Sequence, residues 1–301
     1  MRAFGLFLLV MAGALLAAAV LAYPAWVLVG LIDDQPIHRV VHRLAMLAAL
    51  AGFFYLWRRY SLANKPSLGY ALPRREFIRQ LLLGLGIGIA IIAPLMAMLF
   101  AIGARTPIDG AYHNAPLLLK LVLGGLASGL VVALIEETFF RGGLFTAIQR
   151  ESGALLAVML PSLLYASVHF LGGRLQIPAD QIGWSAGFAV LGEMFDKYAA
   201  PAELVDSFLS LFCVGVLLAL ARLRTGAIAA SIGMHTAWVS AIAFTRGTSR
   251  VNAEASTGWL VGSYDGVLGW GTVGYIMVIG AAFCAVRYSM SARSTAARRK
   301  P

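Results

Sequence analysis

The sequence predicts an all-α fold: a polytopic transmembrane helix bundle of about eight spans with both termini cytoplasmic. Three observations predict it. Hydrophobic residues fill 60% of the 301 positions, charged residues only 13%, and the mean hydropathy is +0.80, where a soluble domain carries roughly 25% charged residues. The apolar residues gather in repeated runs, each able to cross a hydrocarbon core, which takes about 20 helical residues. Lys and Arg fall mainly at alternate ends of those runs, as in a chain that crosses a membrane repeatedly. Backbone groups in lipid must be satisfied within the segment, so the runs are expected to be helices.

The first span covers residues 3–32. Arg2 precedes an apolar stretch ending in small residues near Ala22, as in a signal peptide. Apolar character continues through Trp26 and Leu31, too far for a secretory h-region, so an uncleaved anchor is expected. Residues 37–57 reach spanning length with His38, Arg39, His42 and Arg43 on the first turns, snorkelling to the interface. Spans 81–102 and 117–135 carry the pairs Gly84/Gly88 and Gly125/Gly129, which permit close helix approach. The fourth span is expected to run on as helix to about Arg150 and to turn near Ser152 into a fifth at 154–171.

Residues 172–206 interleave Trp184, Phe188, Met194, Phe195 and Tyr198 with Asp180, Glu193, Asp196 and Asp206. This pattern suits an interfacial helix or a re-entrant loop, expected as a partly membrane-associated cap over the site. Spans 207–221, 226–244 and 267–286 complete the bundle, and 291–301 reads as a short, basic, disordered tail. Cys213 and Cys284 lie inside spans without Cys-x-x-Cys spacing, which supports neither a disulfide framework nor a thiolate zinc site.

With both termini on one side, that side receives fifteen of the 24 Lys and Arg residues, which makes it the cytoplasm. The net charge of +10 is thereby read as topology and as loops facing anionic headgroups, not as nucleic-acid binding.

Charges inside spans cost several kcal/mol unless paired or hydrated. One cluster stands out, VVALIEETFFRGGLF, with Glu136, Glu137 and Arg141. Glu137 and Arg141 are four apart on a helix and can pair, which leaves Glu136 without a local partner. Of five histidines, His169 and His235 fall deep within spans. Glu136 lies 16 residues before Ser152 and His169 lies 17 after it. At about 1.5 Å per residue both reach a similar depth, roughly 24–26 Å from the turn. His235, some ten residues into its span, reaches roughly 15 Å unless tilt or helix extension closes the difference. Water held between a carboxylate and an imidazole is a hydrolytic arrangement, with a second imidazole available to an oxyanion. The same three side chains are also a metal-ligand set, or a buried pair with two histidines that only lock helices together.

EETFFRGG, residues 136–143, resembles the EExxxR motif of the CPBP family of intramembrane proteases, which includes CAAX endopeptidases and bacteriocin-processing and immunity proteins. YASVH, ending at His169, and IGMHTAWVS, around His235, are similar to the family's second and third motifs, in order. The resemblance spans roughly residues 117–244, the expected protease core of a single integral membrane domain over 1–301. It implies that Glu136 activates water with His169 as partner, that Glu137 and Arg141 organise the site, and that His235 stabilises the oxyanion. The family carries Asn four residues after the last histidine. Here that position is Val239, which has no donor, so Trp238 and Ser240 are the candidates for oxyanion support, Ser240 standing about 100° further around the helix.

The resemblance is compatible with a metal-free glutamate mechanism, the reading preferred here, and with a divalent metal such as zinc on Glu136, His169 and His235. The implied activity is endopeptidase cleavage of a membrane-anchored protein or peptide in the cell membrane (the inner membrane of a bacterium), with the lipid bilayer as partner and no nucleic acid. A catalytically silent adaptor or immunity-type protein on the same scaffold is the alternative. A proton-coupled transporter would also use buried carboxylates, but no inverted repeat or pair of broken helices is evident.

Overall fold

The computed structural model describes residues 1–252 and 254–280. The chain opens with a helical hairpin, α1 (Arg2–Gly30) and α2 (Ile37–Arg59), followed by a single turn, α3 (Lys65–Leu68), and by α4 (Arg74–Ala101). Next, α5 (Ala115–Glu137) passes through a π-helical turn (Thr138–Leu144) into α6 (Phe145–Val168). Then come the short α7 (Ala186–Glu193), α8 (Val205–Thr225), α9 (Ala229–Thr248) and α10 (Trp270–Gly280). Among the described residues the bundle is all-α apart from one ladder of two three-residue strands. In it β1 (Arg105–Pro107) pairs antiparallel with β2 (Ser249–Val251), Arg105 opposite Val251.

Among the described residues, five helical stretches are long and apolar enough to cross a membrane: α1, α2, α4, the continuous Ala115–Val168, and α8. The chain is a multi-pass membrane protein. The expected fourth and fifth spans form one 54-residue stretch. The turn expected near Ser152 falls on Gly153, whose φ of 85° lies in the left-handed region that only glycine enters freely. α9 is not among the five, because its Ser, Thr, His and Arg residues lower its hydropathy. The last expected span begins at Trp270 rather than 267. Residues 281–286, Cys284 and the tail at 291–301 lie outside the described residues.

The glycine pairs explain how α9 reaches the centre. A methyl on Gly84 would overlap the Ala230 carbonyl, and one on Gly88 would lie 2.7 Å from Ala237 Cβ, so α4 and α9 touch backbone to backbone. On the opposite side, Gly125 and Gly129 of α5 admit Ser240 and Thr236 of α9, with closest approaches of 3.3 and 3.0 Å to an added methyl. α6 packs on α8, where Gly215 faces Ser162. The first hairpin leans on the π turn through an aromatic cluster in which Phe53 and Phe139 stand 4.3 Å apart.

Within the segment 172–206, Gly172, Gly173, Arg174, Gln176 and Lys197 line a cavity together with His169. The segment's helix α7 docks on α1 and α2, because Gly187 lets its backbone approach Ala19 and Ala22 without an intervening side chain. The Glu193 carboxylate accepts from the Arg174 and Leu175 N–H groups, both at 2.9 Å, and fixes the loop that leaves α6.

Candidate active site

The site begins where α5 loses its regular ladder. Glu136 and Glu137 end α5, and Arg141 lies in the π-helical turn that follows. Such single turns concentrate at functional sites, because they displace side chains from the 3.6-residue register. Glycines hold it in place: a methyl on Gly142 would sit 2.9 Å from the Leu68 carbonyl, and one on Gly143 would run into Trp57. The Arg141 carbonyl accepts from Arg222 Nε at 3.1 Å.

The pairing expected from spacing is present. Arg141 Nη1 donates to Glu137 Oε1 at 3.0 Å, and both side chains are fully buried (0% exposed). Arg141 Nη2 donates to the Gly215 carbonyl at 3.0 Å, and its guanidinium lies 4.6 Å from the Tyr165 ring centroid.

The close packing of α9 brings in a contact that helix spacing cannot supply. His235 Nδ1 lies 2.9 Å from Glu137 Oε1, and its Nε2 lies 3.9 Å from Glu136 Oε2. One imidazole thus spans the two carboxylates. Glu137 Oε1, already paired with Arg141, accepts from Nδ1–H, which directs Nε2 toward Glu136. A separation of 3.9 Å is too long for a direct hydrogen bond and short enough for both atoms to engage one water or substrate oxygen. Glu136 Oε2 is buried with no hydrogen-bond partner among the described residues, while the side chain as a whole keeps 28% exposure.

His169 closes its span rather than lying deep within it. It is the C-terminal cap of α6, because the helix ends at Val168, ahead of Gly172 and Gly173. Its Nδ1 donates to the Tyr165 carbonyl at 2.6 Å, leaving Nε2 as the free nitrogen of the neutral ring. The Tyr165 ring lies between the two imidazoles, 4.3 Å from His169 and 6.0 Å from His235, centroid to centroid. Both histidines line one cavity of about 390 Å³, otherwise walled mostly by apolar side chains such as Ile92, Leu95, Val214 and Leu268. Val132, one turn before Glu136, lines it too, whereas Glu136 itself lines a separate cavity with Phe53, Trp57, Tyr70 and Phe139.

Two expected donors are committed elsewhere. The Trp238 indole N–H donates to the Gly88 carbonyl at 3.1 Å, and the Ser240 hydroxyl lies 2.6 Å from the Thr236 carbonyl and 3.0 Å from that of Gly125. Trp238 seals α9 against α4, and Ser240 faces α5 as its offset on the helix requires, so neither has a donor free for an oxyanion. Val239 does line the cavity. Among the described residues no three His, Cys, Asp or Glu side chains are grouped as a metal site. The Nδ1 contacts of His235 with Glu137 and of His169 with the Tyr165 carbonyl leave Nε2 of both rings free.

Three residues absent from the sequence-based site also line the cavity: Arg246, Tyr264 and Asp265. Arg246 was legible in principle. It follows His235 by eleven residues, three helical turns, and so shares its face of α9. Tyr264 and Asp265 lie in an irregular segment without periodicity. Asp265 Oδ1 accepts from the Val267 and Leu268 N–H groups, both at 2.8 Å, and burial raises its carboxyl above the usual range, against the pull of those amides and of Arg246 and Arg105. The Arg105 guanidinium braces the same segment, donating to the Gly266 carbonyl at 2.6 Å and to Ser249 Oγ at 2.8 Å. Tyr264 also borders a second, outer cavity, as does His169.

No curated protein and no solved structure is significantly similar to the chain. A family model described as type II CAAX prenyl endopeptidase Rce1-like matches residues 118–241, the stretch that holds Glu136, Glu137, Arg141, His169 and His235, which is consistent with a CPBP family intramembrane protease.

Proposed function

We propose that the protein is an intramembrane endopeptidase that cleaves membrane-associated proteins or peptides with a water activated by glutamate and histidine, without a metal. The observation that carries this reading is Glu136 Oε2, buried, unpartnered among the described residues and 3.9 Å from His235 Nε2 beside a cavity that both histidines line. The neighbouring charges favour the chemistry. Glu137 and Arg141 neutralise each other, so a single proton held between Glu136 and His235 leaves the buried cluster uncharged, which is the inexpensive state in a low-dielectric interior.

In the proposed cycle the substrate carbonyl lies in the cavity with its oxygen toward His235 Nε2–H. Glu136 takes a proton from water as the water oxygen attacks the carbonyl carbon. His169 Nε2 orients that water. The C–N bond then breaks, and the proton on Glu136 passes to the leaving amine. Glu137 accepts from His235 Nδ1–H and so fixes the ring orientation that this requires, and Arg141 holds Glu137. The apolar cavity walls suit an apolar substrate segment, consistent with a membrane-anchored chain.

The test is incubation of purified protein with membrane-anchored peptides, with products read by mass spectrometry. Wild type is expected to cleave and Glu136→Gln to be inactive while folded; turnover persisting in Glu136→Gln would remove the proposed base. One observation favours a second reading, a silent adaptor on the same scaffold: Val239 stands where the family carries Asn, and the Trp238 and Ser240 donors are engaged. An adaptor keeps its biological function in Glu136→Gln.

A further inference from the structure

Outside His169 the structure forms a second cavity of about 930 Å³ whose chemistry is the opposite of the first. Arg39 and two histidines, His38 and His42, come from the first turns of α2, Arg174 from the loop after α6, and Lys197 from the turn after α7. Among the described residues no carboxylate lines it, and none of the three cations forms an ion pair. Arg39 donates only to the neutral Gln35 Oε1, at 3.2 Å, and Lys197 Nζ sits 5.5 Å from the Tyr264 ring centroid. The Glu193 carboxylate is taken up by the backbone N–H groups of Arg174 and Leu175 and makes no ion pair with the Arg174 guanidinium. The loop is held to α2 as well, through His38 Nδ1 and the Leu175 carbonyl at 3.2 Å. The cavity is therefore built on fixed walls. His169 and Tyr264 border both cavities and form the boundary between them.

Like charges gathered around a concave, low-dielectric wall repel one another and focus a positive potential into the space they enclose. We propose that this basin is a substrate subsite for peptide carboxylates, so that the enzyme cleaves where an apolar segment, held in the inner cavity, gives way to an acidic one. The inference rests on the proteolytic reading above and extends it to substrate choice. The carboxylates are Asp and Glu side chains or the peptide's own C-terminus; both present the same group to Arg39, Arg174 and Lys197. Because the three cations are solvent-accessible, each contact is of the screened kind, worth about 2- to 5-fold in kcat/KM and weakening with salt.

The full-length protein, in nanodiscs of neutral lipid, is given a peptide joining an apolar block to a cluster of Asp and Glu, and the same peptide with Asn and Gln instead. Each is made with a free and with an amidated C-terminus. Binding is measured by fluorescence anisotropy on Glu136→Gln protein and cleavage on wild type. The acidic peptide is expected to bind and react better, with the preference reduced by salt and falling toward one in the Arg39→Gln, Arg174→Gln, Lys197→Gln variant. A difference between free and amidated ends assigns the carboxylate to the C-terminus, and indifference to the end assigns it to the side chains. Charge-selective binding without cleavage by wild type would sink the protease reading and leave the subsite standing. Equal binding of acidic and neutral peptides overturns the subsite. So does a triple variant that keeps the full preference, or one that loses only its retention of anionic lipid in mixed nanodiscs, which would make the basin a headgroup site.

Discussion

Arg141 is the residue whose removal has the most calculable consequence. Its guanidinium is fully buried, donates to Glu137 Oε1 and to the Gly215 carbonyl, both at 3.0 Å, and covers the Tyr165 ring. Arg141→Met keeps most of the aliphatic volume and deletes the charge. Glu137 is then left as a buried carboxylate whose remaining partner is His235, and breaking a buried pair from one side typically costs about 3–5 kcal/mol. The π turn also loses one of its two ties to α8, the bond to the Gly215 carbonyl, and keeps the one from Arg222 Nε to the residue-141 carbonyl. Thermal unfolding of the purified protein in detergent measures the loss, and peptide cleavage measured on the folded fraction is expected to fall with it, because the Glu137 that orients His235 is no longer held. The double variant Glu137→Gln, Arg141→Met removes both charges. It is expected to recover stability relative to Arg141→Met alone, with a coupling of about 0.5–3 kcal/mol across the double-mutant cycle, while cleavage stays low. An Arg141→Met protein as stable as wild type, or a cycle without coupling, would refute the energetic role given to this pair.

Gly84→Ala is expected to lower stability by about 1–3 kcal/mol and to displace His235, because the added methyl meets the Ala230 carbonyl and pushes α9 off α4; a variant with unchanged melting and turnover contradicts the contact. Trp238→Phe is expected to cost roughly 1 kcal/mol through the lost bond to the Gly88 carbonyl while leaving turnover of the folded enzyme near wild type. A large fall in kcat with stability intact would restore Trp238 as an oxyanion donor. Val239→Asn adds a donor to a side chain that already lines the cavity and is expected to raise kcat more than it changes KM; unchanged or reduced kcat would show that no oxyanion forms within its reach. Asp265→Asn keeps the acceptor for the Val267 and Leu268 amides and removes a buried charge. A raised folded pKa means that the native state loses stability, relative to the variant, as pH rises through it. The stability difference between variant and wild type is thus expected to be smallest in acid, below the ordinary carboxylate range, and to grow above it, and a difference that shrinks with rising pH reverses the assignment.

Much of the architecture follows from composition and period alone. Apolar runs of spanning length yielded the principal helices within a few residues, and the turn read near Ser152 falls at Gly153. The Glu137–Arg141 pair was legible because i,i+4 neighbours meet on any helix, even one that opens into a π turn between them. The glycine pairs announced close approach without naming the partner. Contacts between distant segments were decided only by the tertiary structure. His235 joins Glu137 across 98 residues because Gly84, Gly88, Gly125 and Gly129 let α9 sink between α4 and α5. The same seating turns Trp238 toward Gly88 and Ser240 toward Gly125, spending the two donors that position along the helix had left open. Tyr264 and Asp265 reach the cavity from an irregular segment braced by Arg105, which donates to the Gly266 carbonyl across 161 positions. Local spacing determines which face of a helix a side chain occupies; which neighbour that face meets depends on how closely whole helices can pack, and that is a property of both surfaces at once.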